Sequence, residues 1–357
     1  MATTLQSGAV PTSNPDSAAQ LSAILTGAAT APLTNRAFLR ITGPDAPRWL
    51  NGMVTNDTQS LQPGEGNYNF LLNAQGRILG DCTIYRDPGA SEPVFILQTD
   101  KSQIEAIHQH LDKFIIMDDV ELAPFPDEHL PVSDQNPDRG GLLVAGPNTA
   151  AMLQRIGIST RQSSTLTLQS TAWKGNPIDL TRAHGPLVPR FEIWSDLTTI
   201  LEIQEALIAA GATPVSPEAL EHFRILSGTP LYGTDIRNSA AAHDLPQETA
   251  QTRALHFSKG CYLGQEIVER INSRGSVHRT FTGFSLTGTL PAPGTALSVA
   301  SDARPVGELT SIAAIPLATD PVQLALGYIR REALDRALPL EYPGGTATPT
   351  ALPFTIP

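Results

Sequence analysis

The spacing of apolar positions changes period several times along the chain. Arg36 to Thr42 reads as a strand closed by the turn signal Gly43-Pro44-Asp45. Ala46 to Met53, with Trp49, Leu50 and Met53, reads as a short helix. Tyr68 to Leu72 and Arg77 to Tyr85 predict two strands joined at Asn73-Ala74-Gln75-Gly76, and Val94 to Gln98 predicts a further strand. Ile104, Ile107, Leu111, Phe114 and Ile115 share one helical face, so a helix is expected over about 101–117, capped by Thr99 or Asp100.

A second strand-and-helix unit follows. Leu142 to Ala145 and Phe191 to Trp194 read as strands, and Leu197 to Ala210 as a helix ended by Gly211. Ser216-Pro217-Glu218 opens another helix, with Ser as cap and Pro in the first turn, ending near Ser227-Gly228. Beyond Thr280 short β-like runs (280–286, 306–311, 324–329) alternate with Pro/Gly turns, which predicts a small all-β domain. The expected organisation is a flexible tail over 1–32, two α+β parts within 33–275 and a β domain over 276–357. Residues 124–141, rich in Pro and acid, read as a long loop.

Composition narrows the function classes. The 357 residues carry a net charge of −11, against nucleic-acid binding held mainly by phosphate contacts. No run approaches 18 apolar residues, so no membrane-spanning helix is expected. The two cysteines, Cys82 and Cys261, form neither a disulfide framework nor a zinc-type pair, which suits a reducing compartment. Residues 1–32 hold no Lys or Arg, unlike an Arg-rich presequence.

The densest polar cluster runs from His256 to Glu266. It places one of four lysines, Lys259, two residues before Cys261, with Gly260 and Gly264 on either side of the thiol. Glycines there permit close approach of another molecule, and Lys259 favours the thiolate if both side chains turn the same way. A thiolate is a nucleophile and a soft metal ligand, whereas a lone cysteine is also commonly a small packed hydrophobe. Cys82, in an alternating strand, reads as core. One cysteine cannot hold an iron–sulfur cluster, which normally takes four protein ligands, so a partner would have to supply the rest.

Lys259-Gly260-Cys261-Tyr262-Leu263-Gly264-Gln265-Glu266 resembles the signature of the YgfZ-type family, relatives of the glycine-cleavage T-protein. Gly43 to Ala46, Trp49 to Gly52, Thr55 to Asp57, Leu72 to Arg77 with Asp81, Arg224 to Asp235, Pro246-Gln247-Glu248, Arg270, Gly275 and Arg279, and Val306 to Ser311 resemble its other blocks. The likeness covers about 33–335. It implies an α+β, three-part fold in which two interleaved α+β subdomains and a C-terminal β-barrel-like domain surround a funnel that binds tetrahydrofolate.

The resemblance suggests Trp49, Tyr68 and Phe70 as funnel walls and Arg224 and Arg270 as contacts for the ligand's anionic tail, though each equally fits core or a surface ion pair. It implies an assembly factor for mitochondrial 4Fe–4S proteins, in which Cys261, tuned by Lys259, shares an iron–sulfur cluster with an A-type scaffold partner. A monomer in the mitochondrial matrix is expected, or in the cytoplasm for a bacterial member. True aminomethyltransferases carry paired acids where this chain has Gly80-Asp81, which weakens glycine-cleavage activity. Two alternatives stay open: a folate-dependent one-carbon transferase relying on Asp81, and a folate-binding structural protein with a packed Cys261.

Overall fold

The computed structural model describes residues 15–124, 139–160, 166–237, 244–275, 277–299, 302–317 and 321–356. The chain begins with α1 (Pro15–Thr26), β1 (Ala29–Leu33), β2 (Arg36–Thr42), α2 (Ala46–Met53), β3 (Glu65–Leu72), β4 (Ile78–Arg86), β5 (Phe95–Asp100), α3 (Lys101–Asp112) and β6 (Glu121–Pro124). The middle adds β7 (Arg139–Ala145), α4 (Thr149–Arg155), β8 (Leu166–Trp173), β9 (Asn176–Ala183), β10 (Arg190–Asp196), α5 (Leu197–Ala209), β11 (Thr213–Pro214) and α6 (Pro217–Leu226). Two 3-10 turns, Pro246–Thr249 and Thr252–Ala254, lead to α7 (Gln265–Arg274). The last part holds β12 (Arg279–Gly288), β13 (Ala296–Val299), β14 (Asp302–Ile315), β15 (Val322–Arg330), α8 (Arg331–Asp335), β16 (Leu340–Tyr342) and β17 (Gly345–Thr350).

Eleven strands form one sheet in the order β11-β1-β7-β10-β9-β8-β3-β4-β5-β2-β6, and the last six close into a barrel, β12-β15-β14-β13-β16-β17. The two halves of the sheet meet at β3 and β8, joined by only two pairs, Glu65↔Thr167 and Gly66↔Leu166. Each half buries its own core: Leu39, Trp49, Leu50, Cys82, Leu97 and Leu111 in one, Leu142, Trp173, Phe191, Ile200 and Leu207 in the other. The α+β class with a β-barrel domain is thus the observed architecture. No helix among the described residues is long and apolar enough to cross a membrane.

Several expectations give way to tertiary packing. The tail expected to residue 32 is structured from Pro15: α1 buries Leu21 and Ile24 against α6, and β1 pairs with both β7 and β11. Residues 1–14 lie outside the described residues, as does most of the expected loop, 125–138. The helix expected to Met117 stops at Asp112, where Phe114 and Ile115 N–H groups bond three residues back, leaving Ile116 81% and Met117 93% exposed. The hairpin β8–β9 has no counterpart in the sequence reading. Its turn places Lys174 (φ +49) and Gly175 (φ +88) in the left-handed region, and Lys lacks the Asn or Asp signature of such turns.

A polar cluster fastens the barrel to the rest. Buried Asp235 accepts from Arg224 (2.7 Å) and from Thr310 and Ser311 of β14. Arg237 Nη1 donates to both carboxylate oxygens of Glu308 at 2.9 Å, and Arg279 pairs with Asp244 and Glu248. Removing one member would leave a buried charge unpaired, at a cost of about 3–5 kcal/mol.

Candidate functional site

The cysteine segment is a strap, residues 256–264, laid over the C-terminal end of α2. A helix ends with carbonyls that lack intrahelical partners. The strap supplies donors: Lys259 Nζ donates to the carbonyls of Asn51 (2.6 Å), Val54 (2.7 Å) and Asn56 (2.6 Å), and Leu263 N–H donates to Gly52 O (3.0 Å). Burial pulls the Lys259 pKa down to about 7, against the opposing charge of Asp57. Three short bonds to carbonyl dipoles favour its ammonium form. All three ammonium protons are thereby used on main-chain oxygens. The structure makes Lys259 the anchor of the strap.

Gly264 ends the strap at φ +81 and starts α7. A Cβ there would stand 2.5 Å from Asn73 O and 3.1 Å from Gly76 Cα, so the β3–β4 turn docks directly on the start of α7. Tyr262 is buried beneath the strap, with Lys259 Nζ 5.0 Å from its ring centre. Gln265 Oε1 accepts from Tyr262 N–H (3.3 Å), and Glu266 is exposed on the first turn of α7. Cys261 itself is exposed, and next to it Gly260 has open space where a side chain would be. Cys82 is buried, which pushes its thiol pKa well up.

A central cavity of about 180 Å³ opens between the sheet halves and the loop after α6. Asp81 lines it, accepting from Tyr68 Oη (2.5 Å) and Gln103 Nε2 (2.8 Å). A Cβ on Gly80 would sit 3.1 Å from Ile107 Cδ1 and 3.2 Å from Gln103 Oε1, so a side chain there would have to shift these two neighbours. Across the cavity Arg190 pairs with buried Glu192 (2.8 Å), which also accepts from Gln98 (2.6 Å). The Arg253 guanidinium lies 3.9 Å from the Tyr68 ring centre. Asn56 joins strap and cavity: its Nδ2 donates to Tyr68 O (3.1 Å) and to Arg253 O (2.8 Å).

Tyr68 and Asp81 therefore meet in the cavity, which Arg224 also lines, while Trp49, Phe70 and Arg270 lie outside its lining. Trp49 is packed in the first core with its Nε1–H on Phe114 O (3.1 Å), and Phe70 is fully buried behind Tyr68. Arg270 is exposed on α7, away from the cavity lining. Arg224 reaches the cavity wall, but its guanidinium is engaged by Glu221, Asp235, Thr229 O and Ser311. Sequence reasoning missed Arg36, His184, Arg190, Glu192 and Arg253. One signal was available for two of them: Arg190 and Glu192, two apart, put charge on one face of an otherwise apolar strand. Nothing in the run around Arg253 singles it out.

The comparisons with known proteins agree with this architecture. The chain is 28% identical over 306 residues to the iron–sulfur cluster assembly factor IBA57, mitochondrial, of Mus musculus, covering 77% of this chain and 72% of that one. It is 26% identical to the aminomethyltransferase of Frankia alni, covering 80% and 74%. Among solved structures, glycine cleavage system aminomethyltransferase T from Bartonella henselae superposes with a TM-score of 0.77 at 20% identity, covering 95% of this chain and 89% of that one. Residues 12–253 match the GCVT N-terminal domain, more than half of the chain, and the chain belongs to that family.

Proposed function

We propose that this chain is an assembly factor for 4Fe–4S proteins in which Cys261 lends a thiolate to a cluster, or cluster precursor, also held by an A-type scaffold partner. The observation that carries this reading is the exposed Cys261 on an anchored strap, in a chain whose other cysteine is buried. Among the described residues no group of three His, Cys, Asp or Glu side chains is placed to hold a metal ion. A cluster normally takes four protein ligands, so cargo on Cys261 is shared cargo. The mouse relative's name calls that protein a mitochondrial iron–sulfur cluster assembly factor, which supports the coarser part of this reading. Its mitochondrial address supports the matrix as the site of action here, with the cytoplasm the counterpart in a bacterium. The chain acts as a monomer in this reading.

We infer that tetrahydrofolate enters the central cavity with its flat pterin end, the cavity's roughly 180 Å³ being too small for the whole ligand. Nε of Arg36 and Nε of Arg190 are buried there without a hydrogen-bond partner among the described residues. Glu192, Gln98 and Asp81 surround them with further polar groups, so the residues fit a flat ligand with polar edges. Bound folate supplies a one-carbon carrier; this chain's residues bind and orient it. The lone Asp81, held by Tyr68 and Gln103, does not favour aminomethyl transfer.

Complementation of cells lacking their own family member tests the reading, with one 4Fe–4S and one 2Fe–2S enzyme assayed. Wild type is expected to restore the 4Fe–4S activity alone, and Cys261→Ala to fail while folding normally. Full rescue by Cys261→Ala would overturn the thiolate role and move attention to Asp81.

A further inference from the structure

Beyond the end of α3, Phe114, Ile116 and Met117 stand exposed within four successive positions, while Ile115 between them packs on the first core. Scattered exposed apolar residues are ordinary, but adjoining large ones mark a contact surface. This tip is also held in place. Trp49 Nε1–H donates to Phe114 O (3.1 Å), Arg48 pairs with Asp118 (2.5 Å), and Asp119 N–H donates to Asp45 (2.9 Å). Ile116 and Met117 are thus presented on a fixed loop, so docking there orders little main chain.

These contacts are all to α2 and its cap, and the cysteine strap is seated on the same helix. Arg48 and Gly52, four residues apart, lie on the side of α2 that the core leaves uncovered. Arg48 holds the loop through Asp118. Gly52 meets the strap: its carbonyl accepts from Leu263 N–H (3.0 Å), and a Cβ on it would stand 4.0 Å from Cys261 O. Four residues of helix rise only about 6 Å. The apolar tip and the strap carrying Cys261 therefore border one strip of surface, small beside the about 800 Å² that each face of an ordinary interface covers. Phe257, also exposed, adds an apolar side chain on the strap itself. Around the tip, Asp112, Asp119 and Glu121 are exposed with no ion-pair partner among the described residues, and Lys113 is the opposing charge beside them. The rim is thus acidic.

We propose that the tip formed by Phe114, Ile116 and Met117 is the docking surface for the protein that shares cargo on Cys261, a partner whose matching face is an apolar groove edged by Lys or Arg. The identity of the occupant rests on the shared-cargo reading. A metal–thiolate bond fixes one atom and cannot by itself choose a partner. An apolar tip with an acidic rim selects and orients that partner before the thiol engages.

Calorimetric titration of the full chain with a purified A-type scaffold protein, first cluster-free and then cluster-loaded, tests the proposal. Ile116→Asp and Met117→Asp, made together, should weaken binding of both forms about tenfold or more. The melting temperature should not change, since both side chains already stand in water. Leu201→Asp, on the exposed face of α5, should bind as wild type does. Wild type should bind the loaded scaffold more tightly than the cluster-free one, and Cys261→Ala should lose that gain and keep the rest. Equal wild-type affinity for the two forms would sink the thiolate role and leave the docking surface standing. Equal binding by wild type and the double variant would overturn the surface, as would no binding of the cluster-free scaffold by wild type. Two further results would overturn it. A wild-type dimer in sedimentation that the double variant dissolves would give the tip to a second copy. A lower melting temperature for the double variant would show that the chain covers the tip itself.

Discussion

The ammonium of Lys259 donates to the carbonyl of Val54 at 2.7 Å, just beyond the last residue of α2. With Asn51 and Asn56 as its other acceptors, this one side chain holds the cysteine strap to the first subdomain. Lys259→Met would leave those carbonyls short of a donor and should destabilise the protein by about 2–4 kcal/mol. Urea unfolding measures the loss. An unchanged urea midpoint would contradict the anchoring.

The two thiols should separate cleanly in labelling. Iodoacetamide at neutral pH is expected to modify Cys261 in the folded chain and to spare Cys82, which is 2% exposed. Peptide mass spectrometry should find a single adduct in buffer and two in denaturant. Protection of Cys261 in buffer would mean that the strap shields its thiol.

Glycines on either side of Cys261 should respond differently to a methyl group. Gly264→Ala meets both a positive φ and the Asn73 carbonyl, so a loss of about 2–3 kcal/mol is expected. Gly260→Ala points into open space and should change stability by less than about 0.5 kcal/mol. Equal effects in chemical denaturation would contradict the docking of α7 on the β3–β4 turn.

Acid should reveal His184. Its folded pKa, about 4, lies below the roughly 6.5 of an unfolded histidine, so the unfolded chain takes up this proton first. The contribution to stability is intact above pH 6.5 and lost progressively as pH falls to 4. With partial exposure discounted, the change is about 1–3 kcal/mol. His184→Asn should flatten the stability profile over that interval; an unchanged slope would place the titration elsewhere.

How far the sequence disclosed this molecule depends on whether the determining contacts are local. The helix over 197–209 and the capped start at Ser216 were legible because their signals lie within one turn. The strap was conspicuous as a cluster of rare residues, yet the anchoring role of Lys259 was hidden, because its acceptors are some 200 residues away. Arg224 was a sound choice for an anion contact until Asp235 and Ser311 claimed its donors. Arg253 acquires meaning only when the second 3-10 turn sets its guanidinium against the Tyr68 ring in the cavity wall.

Asn56 gives the molecule a property that neither the cavity nor the strap has alone. One amide group holds the main chain of Tyr68, a cavity wall, and of Arg253, just upstream of the strap. A ligand that prefers the cavity with this clamp closed must raise the population of the seated strap. By reciprocity, a partner that grips the seated thiol must tighten that ligand by the same factor.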